Sequence, residues 1–400
     1  MMKDHMRTPR PALRRILTIS ILGRLAHDLA NRIVYPFAPE LAAGLKIPLE
    51  QFGALVSLRN GVGIIGPALG ALSDRIGHRR SLTMGLLLIA IGLGLIGWGD
   101  GLIIPGLGFV ISGIGSAIYI PTLLAYVSER TPYQRRGRAL GTIELAWAIS
   151  GMIGLPIVGL LIGSLGWRAP LIGLAVAALG CAGLTLLLEE TPLQDLSGFE
   201  NLTGLTLNIG AILRNRSALA FIATWFLVFF AFENVQVGYG SWFESHFGLD
   251  TTARGSISTL FGMFELTASA SSSLLLDRIG KKRGVTGGLS VAVVGYLLLV
   301  TLGPVALPWA LTAISVAFLG FEFSVVSGVS VMSELVPSAR GTMLAMGVTA
   351  GSLGRMAADL IGSAVTANMG FTLAAGLSLL ASGLTVAVFA LGVKERHADQ

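Results

Sequence analysis

Charge is what this sequence has least of. Asp, Glu, Lys and Arg make up only 12% of its 400 residues, against 53% hydrophobic ones, and the mean hydropathy is +0.76. Soluble domains carry about 25% charged residues, so a water-soluble globular fold is excluded. There is one cysteine, Cys181, which excludes an internal disulfide and a cysteine metal cluster. The five histidines (His5, His27, His78, His246, His397) come without HExxH, paired catalytic aspartates or a nucleophile elbow. An enzyme is therefore not expected, nor a metal or other cofactor. No GxxxxGK[ST] loop is present either, so any work this protein does must be driven by a gradient rather than by ATP.

What is present in quantity is apolar helix. Glycine, at 53 residues, suits closely packed membrane helices. A membrane span needs about 20 apolar residues, and twelve stretches qualify, from 15–37 and 52–73 to 341–367 and 371–393. The basic start (Lys3, Arg7, Arg10, Arg14, Arg15) runs into the first of them without a small-residue cleavage site, and so reads as a span rather than a signal peptide. The one long polar break, 189–217, divides the spans six and six. The predicted organisation is a bundle over 1–190, a connecting loop over 191–216 and a second bundle over 217–400. Of 28 lysines and arginines, 21 fall in the termini and even-numbered connections, and three (Lys46, Arg168, Arg254) in the odd-numbered ones. By the positive-inside rule both termini and the central loop are cytoplasmic, in a multi-pass protein of the cytoplasmic (inner) membrane. The net charge of +6 is thus a topology signal, and no nucleic-acid partner is implied.

The two halves repeat each other. GALSDRIGHRR (70–80) returns as SLLLDRIGKKR (273–283), placing Asp74 and Asp277 203 positions apart. SERTPYQRRG (128–137) is answered by SELVPSARG (333–341), one residue shorter, so that Glu129 and Arg136 pair with Glu334 and Arg340. Each recurrence falls in the equivalent connection of its half, as two parallel six-helix repeats about an axis along the membrane normal require.

The doubled D-R-x-G-basic-basic loop resembles the signature of the major facilitator superfamily, and Glu129 with Arg136 resembles its Glu-x6-Arg motif. The resemblance covers the whole chain. It implies an all-α membrane fold of twelve transmembrane helices in two pseudo-symmetric six-helix bundles, a monomer in the lipid bilayer, and alternating access to a small-molecule substrate. It assigns a gating role to Gly70, Asp74, Arg75, Gly77, Arg79, Glu129 and Arg136, and to Asp277, Arg278, Gly280, Glu334 and Arg340. The aspartates are expected just after their helices, bonding to a helix start in the opposite half; topology anchoring is the alternative role for these loops. His78 stands where the first copy usually has arginine or lysine, and Phe109 where the fourth span often has an arginine. GMIGLPIVGLL (151–161) loosely resembles the Gly-Pro-Gly motif of the superfamily's proton antiporters, though ordinary helix packing explains it equally.

A few charges lie inside the spans, where each costs at least ~2.5–3.5 kcal/mol unless it faces protein or water. Spans three, six, nine and twelve have none, and in the superfamily these lie at the lipid-facing periphery. The first span, by contrast, carries Arg24, His27, Asp28, Asn31 and Arg32 at helical spacing, one continuous stripe. Elsewhere stand Arg59, Glu144, Glu233, Glu265, Glu322, Arg355 and Asp359. Plain readings exist for some of them. Arg355 and Asp359, four apart, can pair within one helix; Glu144 can meet loop arginines; Arg59 can snorkel. Asp28 has an arginine four residues to either side, and two arginines against one aspartate leave a net positive charge that a carboxylate from across the cavity (Glu233 or Glu265) or an anionic substrate group must complete. Glu233, Glu265 and Glu322 have no cation near them on their own helix, so each needs a partner across the cavity, a proton or the substrate. The stripe, Arg59, these three glutamates, Arg355 and Asp359 are the candidate substrate and proton-coupling residues. The expected function is proton-coupled efflux of a small polar or amphipathic organic molecule. Uptake of an organic anion and lipid or lysolipid flipping are the alternatives.

Overall fold

In the computed structural model, residues 10–190 and 209–394 are described, and among them every regular element is helical. The helices in order are α1 (Arg10–Arg32), α2 (Ala38–Leu45), α3 (Leu49–Gly61), α4 (Gly66–Ile76), α5 (His78–Trp98), α6 (Ile103–Arg130), α7 (Tyr133–Ile149), α8 (Leu155–Leu165) and α9 (Arg168–Thr185). After the central connection come α10 (Arg216–Phe247), α11 (Thr251–Ile279), α12 (Lys281–Thr301), α13 (Leu307–Leu335), α14 (Arg340–Met369) and α15 (Phe371–Gly392). A 3₁₀ turn joins α3 to α4, and a π turn (Ser150–Gly154) joins α7 to α8, so each of those pairs makes one crossing. Ten crossings are apolar enough to span a membrane by composition alone. The other two, α1 and α14, carry Arg24, Asp28 and Arg32, and Arg355 and Asp359; they complete the twelve.

The element ends follow local chemistry. Asn215 caps α10 by accepting from the Ser217 and Ala218 amides, and Asp250 caps α11 by accepting from Ala253. Gly77 and Gly280, the equivalent glycines of the two loop repeats, both take positive φ (93° and 89°), a conformation open to glycine and strained for other residues. Asp74 and Asp277 consequently sit within the last turns of α4 and α11, not after them as expected. The first helix is as long as the predicted 15–37 but lies five residues earlier in the chain. It ends at Arg32, because Pro36 lacks an amide proton and disfavours helical backbone at Tyr35.

Packing repeats with the sequence. In the first half α5 lies against α6 and α9, and in the second α12 lies against α13 and α15 in the same pattern. These outer helices turn apolar side chains such as Ile91, Val176, Leu297 and Leu380 outward, as a lipid-facing layer does. The halves meet through α3 against α14 and α8 against α11. At the second contact a Cβ on Gly159 would lie 2.5 Å from the Thr251 carbonyl oxygen, and one on Gly255 2.8 Å from that of Leu155. The GMIGLPIVGLL stretch is therefore where two backbones from opposite halves touch.

Candidate functional site

The α1 stripe is ordered by hydrogen bonds that run along the helix and then leave it. Asp28, fully buried, accepts from Arg24 Nε at 2.8 and 2.9 Å and from His27 Nδ1 at 2.7 Å. Asn31 Nδ2 lies 3.0 Å from His27 Nε2 and can only donate to it, so the imidazole proton sits on Nδ1 and points at Asp28. Arg24 reaches on to Glu144 of α7 at 3.0 Å. Glu144, expected near loop arginines, thus pairs with a membrane arginine, because α7 packs along α1. Arg32 does not pair with Asp28, whose oxygens are taken. It crosses to α11 and grips Glu265 with both terminal nitrogens, at 2.8 and 3.2 Å. Its guanidinium also lies over the Trp147 ring, 4.4 Å from the centroid.

A second group of polar residues crosses between the halves nearer α2. Tyr35 donates to Glu233, and its hydroxyl accepts from Arg59 at 3.2 Å. Arg59 is 5% exposed and also donates to the Asn31 carbonyl at 3.2 Å. It does not snorkel, since these acceptors hold it inside. Its Nε has no partner. Asn60 donates to Asp359 at 2.7 Å and to Glu233 at 3.3 Å, bringing two buried carboxylates onto one amide. Arg355 lies over Phe229 and 3.8 Å from Glu233. The expected Arg355–Asp359 pair within one helix is not formed, because Asp359 faces Asn60 while Arg355 faces α10. Asp359 Oδ1 is buried without a partner among the described residues. Glu322, half-buried on α13, has no hydrogen bond or ion pair among the described residues. The charges around it are Glu265, Glu144, Arg32 and Arg355.

Between these groups lies a cavity of about 360 Å³. Its polar lining includes His27, Asn31, Tyr35, Arg59 and Asn60 from the first half and Arg355 from the second; Trp147, Trp225 and Phe229 form its aromatic wall. Among the described residues no carboxylate lines it.

Residues 21–359 match the sequence model described as Major Facilitator Superfamily. The chain belongs to that superfamily. Among curated proteins it is 28% identical over 293 residues to the class C tetracycline resistance protein of Escherichia coli, covering 70% of this chain and 72% of that one. It is 24% identical over 148 residues to an uncharacterized MFS-type transporter, YwfA, of Bacillus subtilis; that match spans 37% of this chain and about a third (36%) of the relative. Among solved structures, the nucleoside transporter NupG superposes with a TM-score of 0.78 at 16% identity, over 95% of this chain and 100% of that one. The xylose transporter XylE from E. coli, in an inward-open conformation, gives 0.76 at 18% identity over 97% and 98%. At such identities the structural likeness speaks for the fold alone. The chain is a multi-pass membrane protein of a transporter superfamily.

The superfamily's loop residues are placed as follows. His78, in the basic position of the first motif, meets Glu129 at 3.2 Å. Arg79 pairs with Glu190, and in the second half Lys281 pairs with Glu334. Arg136 donates to the Thr131 carbonyl at 3.2 Å, while Arg75, Arg278 and Arg340 are exposed. The side chains of Asp74 and Asp277 lie outside the described residues, and Gly70 is described only as part of the α4 backbone.

One cluster escaped the sequence reading. Arg254, at the start of α11, is 1% exposed and donates to the Pro36 and Gly240 carbonyls at 3.1 and 3.3 Å and to Glu40 of α2; Glu244 lies 3.7 Å away. This bolts the halves together at the α2 end. Burial pushes the Glu40 carboxyl above the usual carboxylate range, against the pull of Arg254. Tyr35 and Asn60 were missed as well, being ordinary residues whose partners lie far away in sequence. The only signal for Arg254 was that it is one of three cations in the odd-numbered connections.

Proposed function

We propose that this protein is a monomeric, proton-coupled secondary transporter of the cytoplasmic membrane that exports a small polar or amphipathic organic molecule by alternating access. The two bundles, 1–190 and 217–400, rock against each other about the connection between them. The positive-inside bias argues for cytoplasmic termini. With that orientation, the closure of the halves by Arg254 at the α2 end supports an inward-facing state.

The observation that carries the coupling is the Glu233–Asp359 pair. Both carboxylates are buried, share the Asn60 amide and sit directly behind the cavity, with one oxygen of Asp359 unpartnered. Burying an unpartnered oxygen costs less on a neutral acid than on an anion, which makes this pair a place to hold a proton. A proton there alters the charge that Arg355 and Tyr35 face, and so couples occupancy to the cavity and to the contact of α3 with α14. Glu322, half-buried and without a hydrogen bond or ion pair among the described residues, is the second proton site. The resistance protein among the relatives supports export. The two arginines of the cavity favour an anion as cargo, in which case uptake is the second reading.

The test is proteoliposomes with a pH dye inside, challenged with tetracycline and with aryl carboxylates across an imposed gradient. Substrate-dependent proton movement that Asp359→Asn or Glu233→Gln abolishes supports the coupling. Transport that ignores the gradient in the parent and in Asp359→Asn, Glu233→Gln and Glu322→Gln overturns it. The sidedness of accumulation separates export from uptake.

A further inference from the structure

We infer that the cavity is built for an organic monoanion, an aromatic carboxylate, with its head group between Arg59 and Arg355 and its ring against Trp147, Trp225 and Phe229. This rests on reading the cavity as the substrate path, and names the substrate class for it.

The first ground is the sign of the lining. Two arginines and no carboxylate face the cavity, although six acidic side chains stand in the surrounding helices. Four of these are turned away and already bonded: Asp28 to Arg24 and His27, Glu265 to Arg32, Glu233 to Tyr35 and Asn60, and Asp359 to Asn60. A cation entering here would lose its hydration to meet two guanidinium groups.

The second ground is Arg59 itself. It is buried, yet among the described residues it forms no ion pair; its two hydrogen bonds go to neutral oxygens, the Asn31 carbonyl and the Tyr35 hydroxyl, and its Nε has none. A guanidinium has five N–H donors and matches a carboxylate in a two-pronged grip. A buried cation left without an anion is costly, and an incoming carboxylate completes it. Arg355 is the looser partner, 31% exposed and 3.8 Å from Glu233, so it can swing from that contact to a ligand. The neighbouring Glu233 and Asp359 set an upper limit on added negative charge, which favours one carboxylate over a dianion such as a phosphate monoester. A volume of about 360 Å³ sits at the small end of ligand pockets, ~300–1,000 Å³, and suits one or two rings.

The experiment is direct binding to the purified full chain in detergent, by calorimetry, with three isosteric probes: 1-naphthoate, 1-naphthamide and 1-naphthylmethylamine. Naphthoate should bind at least tenfold tighter than either of the others, and Arg355→Gln should lower its affinity at least tenfold. Arg355→Lys should recover part of the loss, which guards against a merely misfolded variant. Amine or amide binding as tight as naphthoate, or naphthoate binding unchanged in a folded Arg355→Gln, overturns the inference. The two readings separate cleanly. Coupled flux seen only for the amine sinks the anion site and leaves transport standing. Naphthoate binding as described, without proton-linked flux in vesicles, sinks the coupling and leaves the site.

Discussion

Two polar seams cross between the halves, and they are built on opposite principles. The Arg32–Glu265 seam is matched: one cation, one anion, two donors on two acceptors, with an indole covering the guanidinium. The seam around Tyr35 and Asn60 is unmatched. It sets two carboxylates on one amide, holds Arg355 at 3.8 Å, and leaves Asp359 Oδ1 and Arg59 Nε without partners. A matched buried pair holds a geometry, because losing either member strands a charge. An unmatched group has spare capacity for a proton or a ligand, and the cavity opens beside this seam.

The comparison breaks most visibly at the matched seam. Glu265→Gln strands Arg32 in the interior and should destabilise the protein by about 3–5 kcal/mol, read as a large drop in thermal unfolding temperature in detergent. The double variant Arg32→Gln with Glu265→Gln should recover more than half of that loss, since no charge is then left alone. Next in size is Arg254, which belongs with the matched kind, as its guanidinium meets two carbonyls and a carboxylate. Arg254→Ala should weaken closure at the α2 end by on the order of 2 kcal/mol, roughly thirtyfold in the closed-to-open ratio. An impermeant maleimide should then label Ser258→Cys, introduced in a Cys181→Ser background, many times faster than it does with Arg254 intact.

The unmatched seam should behave the other way. Asp359→Asn replaces an anion lacking a full set of donors by a neutral isostere, so the unfolding temperature should move little, within about 1 kcal/mol of the parent. Proton-driven accumulation in vesicles should nevertheless fall at least tenfold while substrate counterflow persists. If Asp359→Asn and Glu265→Gln destabilise equally, the contrast between the seams is wrong.

What could be read in advance follows the same divide between near and far. The superfamily, the twelve crossings and the loop repeats are written in local patterns, namely apolar runs, the basic bias and a motif recurring 203 positions on. The α1 stripe was legible because residues three and four apart share a helix face. Its pairing was legible in part. The surplus positive charge called for Glu233, Glu265 or an anionic substrate, and Glu265, 233 positions from Arg32, supplies the carboxylate; helical spacing alone did not choose between them, nor say that Asp28 would take Arg24 rather than Arg32. Asn60 and Asp359 meet across 299 positions, and Arg254 finds Pro36 across 218. Helix spacing places a charge on a face; only the packing of α3 on α14 and α8 on α11 says which face meets which.

The smallest effect sharpens the picture at the α2 end. Glu40 lies outside the membrane crossings, and in the closed arrangement burial raises its carboxyl above the ordinary value of 4.5, with Arg254 and Glu244 as the charged groups beside it. When the halves part at this end, Glu40 is exposed and returns toward that value. The closed form therefore binds the proton more tightly. Lowering the pH at the α2 end through the raised value should favour closure, and the advantage should fade as pH rises above it. Ser258→Cys labelling should accordingly slow as that side is acidified from neutrality, in a maleimide assay corrected for the reagent's own pH dependence. Glu40→Gln, which cannot titrate, should flatten that response without disturbing either seam around the cavity. A response that survives Glu40→Gln would move the sensor elsewhere and leave Arg254 as a purely mechanical bolt.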